Sequence, residues 1–253
     1  MFKMKNSLIL LALLSSATTN AVTTYGGHVD ISKESTTILE ITYRLTLSQA
    51  DTNFTASNFS STLSCPSTGQ GINLNGFVQT SERKEYVNCA QTIFNWVVSY
   101  QTTIDLSDTT YNAIVNCCNL RVDATCGTRH PNINTLSTSA TSFYIFTDFE
   151  NCTTLKNRTA AHSNFSNYTR NCLNQPFFYN NGMYDTANFD SLSYRLVSPL
   201  TSHSTSVNHK APYSGIYPLQ AFDTDGDGKG DITLDYLTGD FIYTPTLIDQ
   251  MGP

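Results

Sequence analysis

The stretch that decides the fold is TILEITYRLTL, residues 37–47. Leu39, Ile41, Tyr43, Leu45 and Leu47 fall on one side of an extended chain, and Glu40, Thr42, Arg44 and Thr46 on the other. A repeat of two residues is the pattern of a β-strand with one face in a core and one toward water. A helix would scatter the same apolar residues around its circumference.

Reading outward from that strand, the rest of the chain has the same character. TIFNWVVSYQTTIDL (92–106) is β-branched and aromatic, and reads as a long strand. YNAIVNCC (111–118), SFYIFTDF (142–149), SLSYRLVS (191–198), DITLDY (231–236) and DFIYTPT (240–246) are expected to follow as strands. Asn, Gly, Pro and Ser clusters separate them, as turns require. YLTGDF (236–241) reads as a hairpin with Thr238-Gly239 at its tip. Many short strands without helical periodicity between them predict antiparallel sheets packed face to face.

The first residues predict export. Lys3 and Lys5 precede the apolar run SLILLALL (7–14), and small and polar residues lead to Ala21. That order is the layout of a secretory signal peptide over residues 1–21, and the run is too short to span a bilayer. No other run is long enough for a transmembrane helix. Without the leader, fourteen basic residues become twelve against twenty acidic ones, and the net charge moves from −6 to −8. An acidic chain of this kind is not built to neutralise phosphates, which argues against nucleic acid and anionic membrane surfaces as partners.

Seven cysteines lie beyond the leader: Cys65, Cys89, Cys117, Cys118, Cys126, Cys152 and Cys172. In an oxidising compartment most of them are expected to pair, and an odd number leaves at least one over. Adjacent Cα atoms are only ~3.8 Å apart, so Cys117 and Cys118 are expected to bridge to two different partners. Cys126, Cys152 and Cys172 are the candidates nearest in sequence. Cys117, Cys118, Cys126 and His130 also mimic a zinc quartet, but export favours disulfides over zinc. The polar stretch 152–174 is the expected boundary between an N-terminal sandwich, 22–150, and a second one, 151–253. Six Asn-x-Ser/Thr triplets start at Asn53, Asn58, Asn151, Asn157, Asn164 and Asn167. A chain this rich in Asn, Ser and Thr produces such triplets by chance, and that is how they are read here.

Carboxylates concentrate in AFDTDGDGKGDITLDY (221–236), where Asp223, Asp225, Asp227 and Asp231 alternate with glycines. Calcium takes several hard oxygens from a flexible loop. Asp223, Asp225 and Asp227 fill positions 1, 3 and 5 of such a loop, the Lys229 carbonyl supplies a peptide ligand, and Asp231 takes the ninth place. Position 12 is Leu234 instead of Glu, and flanking helices are missing. The spacing is therefore closer to the D-x-D-x-D-G-x-G-D loops of extracellular calcium modules than to an EF-hand. Carboxylates on one glycine-rich loop do not make the rigid pair that a glycosidase needs. No nucleophile elbow, phosphate loop, dinucleotide fingerprint or H-E-x-x-H motif is present. No catalytic residue is expected. His28, His162, His203 and His209 sit on polar segments and read as surface residues. Trp96, in an apolar strand, reads as core.

Two passages carry a resemblance. NAIVNCCNL (112–120) runs into the cysteine pair, and NCLNQPFFYNNGMYDTANFDSLSYRLVSPL (171–200) resembles a segment of large surface proteins of gliding Bacteroidetes. Cys172, Gln175, Pro176, Phe177, Asp185, Asp190, Ser191, Leu192, Tyr194, Leu196, Pro199 and Leu200 match that pattern. YGGHVD, APYSGIYPL and LTGDFIYTPT look like further parts of the same unit. The family's acidic D-P-D-G-D turn is replaced here by DTANFD (185–190), which lacks the middle carboxylate and the glycine. The resemblance implies two tandem immunoglobulin-like or cadherin-like (PKD-like) β-sandwiches, the second shortened at its C-terminal end. It implies a secreted or cell-surface adhesin associated with gliding motility or attachment, with surface proteins or polysaccharide as partners. The competing expectation is an extracellular carbohydrate-active enzyme or a carbohydrate-binding module.

Overall fold

The structure is a computed structural model that describes residues 23–50, 54–86, 91–129, 133, 136–137, 142–152, 161–162, 172–180, 183–185 and 191–247. The expected signal peptide, Cys89, His130 and the triplets at Asn53, Asn157, Asn164 and Asn167 lie outside the described residues. The chain is all-β, as expected, and apart from two short 3-10 turns at Ala56–Asn58 and Thr109–Tyr111 no helix occurs among the described residues. None is therefore long and apolar enough to cross a membrane.

Eight strands form one curled sheet: β1 (Thr23–Lys33), β2 (Ile38–Leu47), β3 (Phe59–Cys65), β4 (Gln70–Leu74), β5 (Val78–Tyr86), β6 (Phe94–Asp105), β7 (Asn119–Arg129) and β8 (Ser142–Glu150). The chain makes four hairpins in succession, β1–β2, β3–β4, β5–β6 and β7–β8. Pairing of β2 with β6 and of β3 with β7 gathers them into two leaves, β1-β2-β6-β5 and β4-β3-β7-β8. The leaves join at one corner, where Thr23 and Thr24 of β1 run parallel to Thr128 and Arg129 of β7. All other pairings in this sheet are antiparallel.

Alternation within β2 sets the core. Leu39, Ile41, Tyr43, Leu45 and Leu47 are each no more than 1% exposed. They share one cluster with Ile31 of β1, Tyr100 and Ile104 of β6, Leu63 of β3, and Leu120 and Val122 of β7. The two leaves thus bury their inner faces against each other, as a sandwich does. Aromatic rings fill one end: Tyr43, Phe54, Phe59, Phe77 and Tyr100 lie edge-on, tilted or stacked with centroids 5.0–6.4 Å apart. One polar group crosses this core. The Tyr43 hydroxyl of one leaf meets Ser61 Oγ at 2.6 Å and donates to the Asp123 carbonyl at 3.0 Å, both on the other leaf. Trp96 packs against the same cluster, as expected.

Two disulfides hold the ends of β3, β7 and β8. Cys65 pairs with Cys117, and Cys118 with Cys152. The adjacent cysteines therefore do go to different partners. Cys65 was not among the expected candidates, and Cys126 and Cys172 lie outside both bridges. Cys126 is buried with its sulfur 3.5 Å from the Thr24 hydroxyl, and Cys172 is exposed. Sequence proximity misleads here because β3 is the hydrogen-bonded neighbour of β7, which places distant Cys65 beside Cys117.

The expected strand at 111–118 is not a strand. The Asp108 carboxylate caps the turn by accepting from the Thr110 amide at 2.8 Å, and turn bonds continue from Tyr111 to Cys117. β7 starts one residue after the cysteine pair. Residues 191–198 alternate in exposure as a strand would, yet pair with no neighbour in a ladder. Tyr194 ties that run down, its amide donating to the Tyr236 carbonyl at 2.9 Å and its hydroxyl to the Met183 carbonyl at 3.4 Å.

Past Asn151 the strands are short. β9 (Ala161–His162) pairs with β11 (Met183–Tyr184), and β12 (Leu200–Ser202) with β13 (Thr205–Ser206). β10 (Phe177–Asn180), β15 (Asp240–Tyr243) and β14 (Ile232–Leu234) form a three-stranded sheet. The β14–β15 hairpin has the expected turn: Gly239 takes a φ of 75°, and its amide donates to the Asp235 carbonyl at 2.9 Å. Among the described residues of this half, only Val207, Ala221 and Tyr243 are buried apolar side chains. That is too little to form a second core comparable with the first.

Candidate metal-binding loop

The acidic loop is anchored at its base before any carboxylate acts. Ala221 bridges to Pro245, the Phe222 amide donates to the Thr244 carbonyl at 2.8 Å, and the Asp231 amide donates to the Phe222 carbonyl at 2.8 Å. Entry and exit of the loop therefore lie side by side next to the end of β15. Gly230 is required there: a Cβ on it would stand 2.3 Å from the Ala221 nitrogen.

Above this base the backbone turns into its own carboxylates. Gly226 and Gly228 take φ values of 78° and 82°, which side-chain-bearing residues rarely adopt. Their amides point at Asp223, with Gly226 donating to Oδ1 at 2.6 Å and Gly228 to Oδ2 at 2.9 Å. Those bonds favour the ionised form and hold the Asp223 carboxyl below the usual range. The Asp227 amide reaches Asp225 Oδ1 at 3.1 Å, and the Lys229 amide reaches Asp227 Oδ1 at 2.8 Å. Lys229 Nζ lies 3.6 Å from Asp227 Oδ2 and 5.1 Å from the centre of the Tyr217 ring.

Asp223, Asp225 and Asp227 each offer one oxygen, and all three lie within 4.8 Å of one another. Oxygens bound at ~2.3–2.6 Å to one calcium ion stand no more than ~5 Å apart, so the spacing fits a hard cation. The donors are all oxygen, the chemistry that calcium or magnesium selects. Of the five expected ligands, the structure gathers these three. Asp231 is turned elsewhere: its Oδ2 accepts from the Thr224 amide at 2.8 Å and from the Thr224 hydroxyl.

Two of the four histidines, His28 and His209, depart from the surface reading. His28 is 9% exposed, with Nε2 3.5 Å from Asp30 Oδ2. His209 is half-buried, and burial lowers its pKa. His203 is exposed, and the side chain of His162 lies outside the described residues. A run such as YGGHVDIS gave too few apolar residues to show β1 as a strand covered on both faces. A polar cluster that sequence reading missed lies on the outer face of β7 and β8. Arg121 forks onto Asp148 with Nε–Oδ1 at 2.6 Å and Nη2–Oδ2 at 2.8 Å, and stacks 4.5 Å from the Phe146 ring centre. Cross-strand register places Arg121 opposite Asp148, a relation visible only once the strands are paired.

Two of the Asn-x-Ser/Thr triplets fall on described residues. Asn151 is buried and donates to the Val115 and Cys117 carbonyls at 3.3 and 3.4 Å. Its main-chain carbonyl accepts from the buried Lys33 amine at 2.5 Å. This asparagine is a structural joint at the second disulfide. Asn58 is exposed and accepts from the Thr55 amide at 2.7 Å.

The chain matches no family model, no curated protein and no solved structure. Fold and loop therefore define a class by themselves: a disulfide-bonded all-β protein with an exposed, preformed acidic loop.

Proposed function

We propose that this chain is an exported, non-enzymatic surface protein of adhesin type, active in attachment or gliding motility, whose loop 221–231 is stiffened by calcium. Surface proteins or polysaccharide are its partners in this reading. The observation that carries it is the convergence of the Asp223, Asp225 and Asp227 oxygens within 4.8 Å on a loop tied at its base to the end of β15. Two disulfides and the all-β build are consistent with life outside the cytoplasm. In this proposal the first of the two expected immunoglobulin-like units is a sandwich, and the described residues past Asn151 form short sheets beside it.

When bound, the ion offsets the mutual repulsion of the three carboxylates and links Asp223 to Asp225 and Asp227. The chain's own residues already orient the site: Gly226 and Gly228 direct Asp223, and Gly230 closes the base. Calorimetric titration of the full chain with calcium, and melting with and without a chelator, test the proposal. Binding that disappears in D225N/D227N supports it. A melting midpoint indifferent to both calcium and chelator removes calcium from the reading.

A further inference from the structure

Residues 199–209 cross the outer side of β7 and β8 and are tied down along their length. Arg129 Nη2 donates to the Leu200 carbonyl at 3.0 Å. The Ser137 amide donates to the Asn208 carbonyl at 2.8 Å, and Ser137 Oγ to the His209 carbonyl at 2.9 Å. Leu136 bridges to His209, and Val207 joins Ile133 and Leu136 in a small apolar cluster apart from the main core. Within the segment, the Val207 amide closes on the Pro199 carbonyl at 2.9 Å.

Two histidines sit on this segment, and His209 occupies a place that suits a neutral ring. Both ring nitrogens of His209 are buried with no hydrogen-bond partner among the described residues. An imidazolium carries two N–H donors and a charge, so protonation there leaves both donors unsatisfied. His203 is exposed and faces Arg121, whose Nη1 contacts Nδ1 and lies 3.1 Å from Nε2.

Arg121 on β7 is already matched by Asp148 on β8 through two bonds. Asp123 on β7 interacts with His203, so that ring meets a carboxylate as well as a guanidinium, and the clasp does not turn on it. Tyr144 on β8 is neutral in this range, its pKa pushed up to about 12 by burial. Arg129 adds a second cation from β7, and Lys210 follows His209 directly. Leu136 and Ser137 bring no titratable group to His209.

We propose that residues 199–209 form an acid-released clasp, docked on β7 and β8 while His209 is neutral and let go when its ring takes up a proton. Release uncovers the outer face of β8 and leaves the disulfide-linked sandwich intact.

Hydrogen exchange on the full chain, disulfides intact, tests this at pH 7.5 and 5.5 after correction for intrinsic rates. The Ser137 and Val207 amides report the clasp, and the β2–β6 ladder is the internal reference. A free imidazole of pKa ~6.5 is protonated about tenfold over its neutral form at pH 5.5, so opening rises up to about tenfold through His209. The expected result is a loss of up to about tenfold in protection at the two reporters alone. His209→Leu is expected to flatten this dependence, and His203→Gln to leave it in place. Protection independent of pH in the wild type overturns the proposal, as does an undiminished acid response in His209→Leu. If His209→Leu loosens the clasp at pH 7.5, an NMR titration of the His209 ring in the wild type decides: ring protonation without loss of protection at the reporters overturns it.

Discussion

Tyr43→Phe probes a polar link through the sandwich core. The ring is fully buried, and its hydroxyl joins Ser61 at 2.6 Å and the Asp123 carbonyl at 3.0 Å. Phenylalanine keeps the ring, its edge contacts to Phe59 and Phe77, and nearly all the buried volume. What is lost is the hydroxyl, and what remains is the Ser61 hydroxyl, in a residue 2% exposed, without this partner. A buried hydrogen bond contributes about 1 kcal/mol net, and a stranded buried partner costs about 1–3 kcal/mol. The substitution is therefore expected to cost about 1–3 kcal/mol. Urea unfolding with the disulfides oxidised, followed by emission of the single Trp96, measures it. With a slope of about 2 kcal/mol per molar, a loss of 2 kcal/mol lowers the midpoint by about 1 M. Ser61→Ala alone leaves the Tyr43 hydroxyl its bond to Asp123, so its cost is smaller, about 0.5–1.5 kcal/mol. The double variant should cost less than the sum of the two, because the stranded hydroxyl is gone, with a coupling of about 1 kcal/mol. Strict additivity, or a Tyr43→Phe midpoint within about 0.2 M of the wild type, refutes the bridge.

Alkaline pH should act through buried tyrosines. Burial raises the pKa of Tyr43 well above the usual phenol value and pushes Tyr100 and Tyr144 up to about 12. Their contribution to stability is complete below pH ~10, where the unfolded phenol is still protonated, and is lost as the pH rises through 12. Absorbance titration at 295 nm should show these three ionising late or only on unfolding, and normal early titration of all tyrosines would contradict their burial. Replacing Cys65 and Cys117 by serine opens a loop of sequence separation 52. The chain-entropy estimate for that loop is a loss of about 4 kcal/mol, read as a lowered urea midpoint. In the acidic loop, Gly230→Ala forces a Cβ against the Ala221 backbone, whereas at Gly226 no atom lies within 4 Å of the added carbon. Gly226→Ala should cost about 1 kcal/mol of backbone strain. Gly230→Ala should in addition break the Ala221–Pro245 bridge, seen as lost exchange protection of the Phe222 amide.

The short reach of sequence reading shows in particular residues. Leu39 through Leu47 declare a strand because alternate positions meet different solvents, and the same logic marks 92–106 and 142–149. Asp235 to Asp240 is legible as a turn because Gly239 at positive φ is a local requirement. The acidic triad was visible for the same reason: a carboxylate at every second position of a glycine-rich loop converges without help from the rest of the fold. β5 escaped notice because it is an edge strand, with eight of its nine residues exposed and no apolar face to betray it. Residues 111–118 have strand composition, but an aspartate cap and two bridged cysteines hold them in turns.

The sequence by itself determined that the chain is all-β, where its central strand turns its apolar side, that Cys117 and Cys118 seek separate partners, and that Asp223, Asp225 and Asp227 share one loop. Each of these follows from bonds and spacings within a few residues. Tertiary structure alone decided that four hairpins alternate between two leaves, that Cys65 reaches Cys117, that Arg121 meets Asp148, and that the histidines of 199–209 lie against β7 and the segment at Leu136. Those relations join residues tens of positions apart, and what selects them is which faces and edges bury together, a property of the whole packed sheet.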